Sequence, residues 1–229
     1  MNRSQAPWWR LVDFGFLLLY NEMAFTYDTV SKVVSLGAWR CWQRAALKHL
    51  PKDGRVLELA HGTGDLQLDL KAGGWSAVGY DLSPNMGRIA RAKLTRHGVP
   101  VRLARGMAQQ LPFPEGAFAA VVSTFPSDFI TASDTLREVY RVLQPGGIFA
   151  IVPGAQFTGG GAAKAVLDVA YRITGQRTGS DDTLAGEYMA RVTARFGTYG
   201  FQVSLEREPC PNSVAFVIVA RKESGENSG

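Results

Sequence analysis

Residues 56–66, Val-Leu-Glu-Leu-Ala-His-Gly-Thr-Gly-Asp-Leu, constrain this chain more than any other stretch. A short apolar strand carries an acid, Glu58, and runs into a turn with glycines at 62 and 64. A second apolar strand, Ala77-Val78-Gly79-Tyr80, then ends in Asp81. A carboxylate at that place can accept hydrogen bonds from both hydroxyls of a ribose. The glycines let backbone pass close to a bound nucleoside without a Cβ in the way. The pattern predicts the nucleoside-binding half of a doubly wound α/β fold.

The spacing narrows the nucleoside. A dinucleotide site has G-x-G-x-x-G, with its third glycine inside the following helix. That position is Gln67 here, so the turn is not shaped to clasp a pyrophosphate. It resembles motif I of the class I S-adenosylmethionine-dependent methyltransferases, E/D-x-G-x-G-x-G, with Ala60 in place of the first glycine. Two later blocks carry the same resemblance. Residues 105–118 are similar to the family's G-D-A-x-x-L-P-F segment, and residues 137–147 to its E-x-x-R-V-L-K-P-G-G helix and turn. The second block reads as structural: Pro145-Gly146-Gly147 ends a helix and starts an apolar strand.

Residues 25–42 resemble more narrowly the quinone-biosynthesis C-methyltransferases (ubiquinone and menaquinone), whose N-terminal segment reads like Y-D-x-M-N-x-x-x-S-x-G-x-H-R-x-W and whose motif I also has G-T-G-D-L. The resemblance runs from about residue 25 to 153 and is loose beyond. It implies a seven-stranded, mostly parallel Rossmann-like sheet with one antiparallel C-terminal strand. It implies S-adenosyl-L-methionine as cofactor, contacted by Tyr27, Glu58, Ala60, Gly62, Thr63, Gly64, Asp81, Leu82, Met86, Met107, Ala108 and Thr124. Tyr27 would close as a lid on the methionine end, whereas Trp39 and Trp42 are expected as core aromatics.

The departures are specific. The acid of G-D-A, which in the family commonly receives the adenine amino group, is Met107 here, so an apolar adenine pocket is expected among residues such as Leu82, Met107 and Leu111. Where the quinone enzymes carry F-G-x-R-N, this chain runs Phe125-Pro126-Ser127-Asp128-Phe129 and has no arginine. His61 replaces a small residue of motif I. Methyl transfer requires in-line alignment and exclusion of water. An acceptor bearing a proton also calls for a base. Tyr27, His61 and Asp128 are the candidates, with two plainer roles open: a turn acid for Asp128 and a pocket-lining ring for His61.

The chain has 229 residues and 46% hydrophobic content, enough for one α/β domain with a full core. Its three histidines and two cysteines show no metal-ligand spacing, so no metal is expected. Cys41 and Cys210 are read as separate buried thiols in a reducing compartment. The net charge of +5 comes from the N-terminal half; Arg88, Arg91, Lys93 and Arg96 read as a solvated helix face, and nothing resembles a nucleic-acid module. Residues 8–20, Trp-Trp-Arg-Leu-Val-Asp-Phe-Gly-Phe-Leu-Leu-Leu-Tyr, are too short an apolar run to span a bilayer. They suit a helix over the cleft, with or without contact to a membrane surface through Trp8, Trp9, Arg3 and Arg10.

The expected organisation is a helical lid over 1–50, a methyltransferase core over 51–222 with a helical insert at about 155–185, and a disordered tail over 223–229. Strands are expected at 55–60, 76–80, 100–104, 118–123 and 147–152, with a terminal hairpin at 201–207 and 213–221. Helices are expected at 8–24, 28–36, 38–49, 84–97, 131–143 and 186–198, and one after Gly64. The expected activity is methyl transfer to a lipophilic small molecule such as a quinol or phenol, in the cytoplasm or at the inner membrane face. Phospholipid N-methylation and a non-catalytic cofactor-binding module are the alternatives.

Overall fold

The computed structural model describes residues 35, 37–158 and 182–224, with side chains omitted over 182–188. The expected helices 8–24 and 28–36, Tyr27, most of the insert and the extreme tail lie outside the described residues. Seven strands form one sheet in the order β3-β2-β1-β4-β5-β7-β6. They are β1 (Arg55–Leu59), β2 (Ser76–Asp81), β3 (Leu103–Arg105), β4 (Phe118–Thr124), β5 (Leu143–Phe157), β6 (Phe201–Cys210) and β7 (Ser213–Lys222). Neighbours from β3 through β5 pair in parallel, and β7 pairs antiparallel with both β5 and β6. The central strands are near-continuous apolar runs, as a sheet covered on both faces requires.

Helix α1 (Trp39–Ala45) continues as a 3-10 turn (Ala46–His49). It is followed along the chain by α2 (Asp65–Ala72), α3 (Pro84–Arg96), α4 (Ser133–Val142) and α5 (Asp182–Gly197). One face of the sheet packs a core that includes Leu57, Phe118, Phe149 and Phe196; the other packs Trp42, Val56, Leu66 and Val217. Ser83 caps α3 by accepting from the Met86 amide, and Pro84 at the first helical position has no amide to satisfy.

Several expectations are corrected. β5 begins at Leu143, before Pro145-Gly146-Gly147, because Leu143 already pairs with Phe118; the register then slips before Ala120 meets Ile148, so the glycines form an irregularity inside the strand. β5 also runs on to Phe157, pairing with β7, where the insert was expected to begin. The helix expected from 131 begins at Ser133, and Thr131 instead ends a separate 3-10 turn, Asp128–Thr131. α5 starts at Asp182, before the expected 186.

The cysteines are corrected as well. Cys41 and Cys210, 169 residues apart, are joined in a disulfide with their Cα atoms 5.9 Å apart. The fold brings the middle of α1 to the end of β6, a proximity no sequence spacing reveals. Their pairing removes the argument from free thiols for a reducing compartment.

The two family blocks at 105–118 and 137–147 meet in space. Arg141 donates to the carbonyls of Leu111 and Phe113, and Glu138 accepts from the Leu111 amide while pairing with Arg141. The E-x-x-R of α4 thus holds the L-P-F segment in place. That Arg141 pair holds the Glu138 carboxyl below the usual carboxylate range. The scaffold reading of this block stands. Lys222, at the end of β7, donates to the Tyr140 and Leu143 carbonyls and so satisfies the C-terminal end of α4.

Candidate active site

A cleft opens at the carboxyl ends of β1 and β4, between α1 and the glycine turn. The turn supplies its floor through Ala60, His61, Gly62 and Thr63, with Asp65 beside them. Met86 and Thr124 form its sides, and Trp39 and Gln43 its roof.

The turn depends on left-handed backbone. Ala60, Gly62 and Gly64 have φ of 55°, 53° and 83°. Ala60 therefore holds a conformation that a glycine would adopt without strain. At Gly62 a Cβ would meet nothing within 4 Å, whereas at Gly64 it would come to 2.9 Å from the Ala90 Cβ. Gly62 leaves open space where a ligand can approach; Gly64 lets α3 pack against the turn.

Asp81 fastens the turn from the next strand. Its Oδ2 accepts from the Gly62 amide at 2.9 Å and its Oδ1 from the Ser83 amide at 2.8 Å. Each carboxylate oxygen has a further lone pair, so a ribose diol can still be accepted. Glu58 does not line the cleft. It is fully buried beneath the turn, where Gln67 donates to it. Burial pushes its carboxyl up to about 8.

His61 is buried and lines the cleft, and its Nδ1–H donates to the Gly62 carbonyl. Burial holds its pKa down, partly offset by the Asp81 charge, so the ring is neutral near pH 7. Room for it comes from β2: a Cβ on Gly79 would approach His61 Cδ2 to 3.0 Å and the Gln67 side chain to 3.3 Å. Thr63 and Asp65 both accept from Lys93, which ties α3 to the turn.

Leu82 and Met107, 59% and 55% exposed, are the exposed large hydrophobic side chains among the described residues, whereas Leu111 and Ala108 are buried in the core. The apolar pocket expected around all of these is therefore reduced to a surface made by Leu82 and Met107. Asp128 is exposed at the head of its 3-10 turn and is not among the residues lining the cleft.

Trp39 was expected in the core. Only Trp42 is there, 2% exposed and donating to Ser213. Trp39 is half-buried, roofs the cleft and stacks on Phe125 with ring centroids 4.1 Å apart. Phe125, immediately after β4, has φ of 52° and its amide donates to Val152. Trp39 and Gln43 are four apart, so they share a helix face. That spacing was the available signal for their joint role.

A methyltransferase-domain family model matches residues 56–147. The demethylmenaquinone methyltransferase of Thermus thermophilus is 36% identical over 210 residues, covering 88% of this chain and 90% of that protein. The chain belongs to the S-adenosylmethionine-dependent methyltransferases.

Other members of that family are shared over shorter stretches. The demethylmenaquinone methyltransferase of Deinococcus radiodurans is 39% identical and the ubiquinone/menaquinone biosynthesis C-methyltransferase UbiE of Geobacter sp. strain M21 is 33% identical, with 56% and 60% of their lengths spanned. Solved structures share the fold. A Methanococcus maripaludis protein assigned to the S-adenosyl-L-methionine-dependent methyltransferases superposes with a TM-score of 0.64 over the full length of both chains at 18% identity. A SAM-dependent methyltransferase of Methanosarcina mazei gives 0.54 over 77% of this chain and 96% of that one, at 20% identity. The cofactor of this methyltransferase is S-adenosyl-L-methionine. Of the residues expected to contact it, Ala60, Gly62, Thr63, Met86 and Thr124 line the cleft, whereas Asp81, Leu82 and Met107 are not among its lining. Among the described residues no helix is long and apolar enough to cross a membrane, and no cluster of side chains could hold a metal.

Proposed function

We propose that this methyltransferase acts on a lipophilic hydroquinone or related phenol and methylates a ring carbon. The observation that carries the reading is the 36% identity through nine-tenths of a demethylmenaquinone methyltransferase. Trp39, which lines the cleft and is backed by Phe125, supports it, since a flat apolar acceptor suits an aromatic face.

S-adenosylmethionine, when bound, supplies an electrophilic methyl group. The protein's part is positional. With the cofactor bound, Asp81 would hold the ribose and Gly62 would leave room for the cofactor's chain, while Trp39 and Gln43, which line the cleft, would cover it and keep water out. A ring carbon taking that methyl group would afterwards lose its proton, so the site would have to hold the carbon in line and give the proton somewhere to go. Deprotonating the acceptor hydroxyl first makes that carbon more nucleophilic. His61, a neutral ring in the cleft, is our first candidate to receive that proton. Asp128, at the same sheet edge, is the second, and Tyr27 would serve in the lid.

The test incubates the protein with methyl-labelled cofactor and either a chemically reduced, isoprenoid-tailed naphthoquinol or phosphatidylethanolamine vesicles. Label in the naphthoquinol ring supports the proposal. Label in the lipid amine replaces it with N-methylation, and label in neither favours a binding module. Because the acceptor is lipophilic, we place the protein in the cytoplasm at the membrane surface, reached through the aromatic segment at residues 8–20. Flotation with anionic vesicles at low salt tests that placement.

A further inference from the structure

Helix α1 presents three faces to three surroundings. Trp39 and Gln43 face the cleft. Arg40 and Arg44 pair with Asp69 on α2. Cys41 and Trp42 meet the β6–β7 hairpin, through the disulfide to Cys210 and the hydrogen bond to Ser213. Just beyond the helix, Lys48 and His49 both contact Glu208, two residues before Cys210. The same seven-residue helix thus carries the roof of the cofactor cleft and the single covalent link, among the described residues, to the far edge of the sheet.

We propose that the Cys41–Cys210 disulfide is a reducible positioning element for the cofactor cleft: it fixes the height of Trp39 and Gln43 over the glycine turn, and opening it weakens cofactor binding. This rests on the cleft being the cofactor site. Three further observations support it. Both cysteines are half-buried, so a reductant can reach them. α1 is only seven residues long, so a shift at Cys41 is not absorbed within the helix before Trp39. Of the polar contacts that would remain, Arg44–Asp69 and Lys48–Glu208 have exposed cations, while Arg40–Asp69, His49–Glu208 and the buried Trp42–Ser213 hydrogen bond are more covered, so reduction would shift the helix without releasing it.

The opening step is thiol–disulfide exchange with a dithiol reductant. A reductant thiolate attacks one protein sulfur and the protein S–S bond breaks. The reductant's second thiol then displaces the mixed disulfide. The reductant leaves as a cyclic disulfide, and Cys41 and Cys210 gain its two electrons and, with two protons, become thiols. In a reducing compartment the cleft would then be in its weaker-binding form, and oxidation would tighten it.

The experiment measures S-adenosylhomocysteine affinity by calorimetry on the full chain, oxidised and after treatment with a dithiol. Circular dichroism fixes a temperature at which both forms are folded. Reduction is expected to weaken binding about fivefold or more, the lower end of ordinary coupling between sites. Cys41→Ser/Cys210→Ser should bind like the reduced protein under both conditions. Trp39→Leu should bind weakly and lose the response to reduction, which a purely structural bond would not explain. Equal affinities for the two forms, with only the melting temperature changed, would overturn the proposal. A redox response that persists in the double serine variant would overturn it too. If that variant does not fold, the reduced and alkylated wild-type protein takes its place, with the same outcomes. No acceptor is present, so failure here leaves the acceptor assignment untouched, and a wrong acceptor leaves this result untouched.

Discussion

Gln67 Nε2 donates to Glu58 Oε2 across 2.6 Å, with both side chains buried beneath the glycine turn. The pair explains two residues at once. Gln67 stands where a dinucleotide fold would have glycine, and it is there to satisfy an acid that the sheet has taken out of water. Glu58 keeps its proton to about pH 8, against an ordinary carboxylate in the unfolded chain. The native state therefore binds more protons than the unfolded one between those values. The stabilisation is fully present below the unfolded pKa and is lost as pH rises through the folded one. Stability should fall by at most about 1.4 kcal/mol per pH unit across that window. Urea titrations from pH 5 to 9 would show the slope, and Glu58→Gln should flatten it.

Asp81 joins the turn to the ribose position, so its charge and its shape can be separated. Asp81→Asn keeps an oxygen for one of the Gly62 and Ser83 amides, and Asp81→Ala keeps none. Charge-assisted hydrogen bonds contribute about 1.5–3 kcal/mol each. Calorimetry with S-adenosylhomocysteine should show the alanine variant weakened by at least about tenfold, with asparagine between it and wild type. An unchanged affinity in the alanine variant would falsify the ribose assignment.

Ala60 holds φ of 55°, a left-handed conformation that costs a residue with a Cβ about 1–2 kcal/mol. Ala60→Gly removes that strain and adds unfolded-chain entropy of about 0.4–1 kcal/mol. The variant should be as stable as wild type or up to about 1.6 kcal/mol more so. Ala60→Val should be clearly less stable. Thermal melts of the two variants check the sign.

Arg141→Ala should lower stability by about 2 kcal/mol, because the Leu111 and Phe113 carbonyls and the Glu138 carboxylate lose donors together. Its effect on S-adenosylhomocysteine affinity should be small. A large affinity loss with an unchanged melt would show that the 111–113 segment acts in binding and not through the scaffold.

What the sequence made legible was local. The strand, the turn and Asp81 follow one another within a few tens of residues, so their pattern announced the parallel sheet and the glycine turn at its edge. The structure adds what spacing along the chain cannot carry. Cys41 and Cys210 are apart in sequence by most of the domain, and Trp39 reaches the cleft because α1 lies across the ends of strands made later. Trp39 and Trp42 looked alike as aromatic residues on one helix. Three positions on a helix leave them neighbours, with their rings in edge contact, and only the packing of α1 shows which of the two is sealed in. The length of β5 was likewise hidden, because Pro145-Gly146-Gly147 punctuates the sequence without ending the pairing.

β7 lies between β5 and β6, so β6 leaves the ribosome before the strand that pairs with it. Until residue 222 has emerged, β5 is a bare sheet border and β6 has no neighbour. The hairpin turns at Pro211-Asn212, where Asn212 takes the left-handed turn conformation. Only with both its strands made can Lys222 reach the carbonyls of α4. A nascent chain stalled short of this point exposes an open strand edge, which is the kind of surface that invites pairing with another chain.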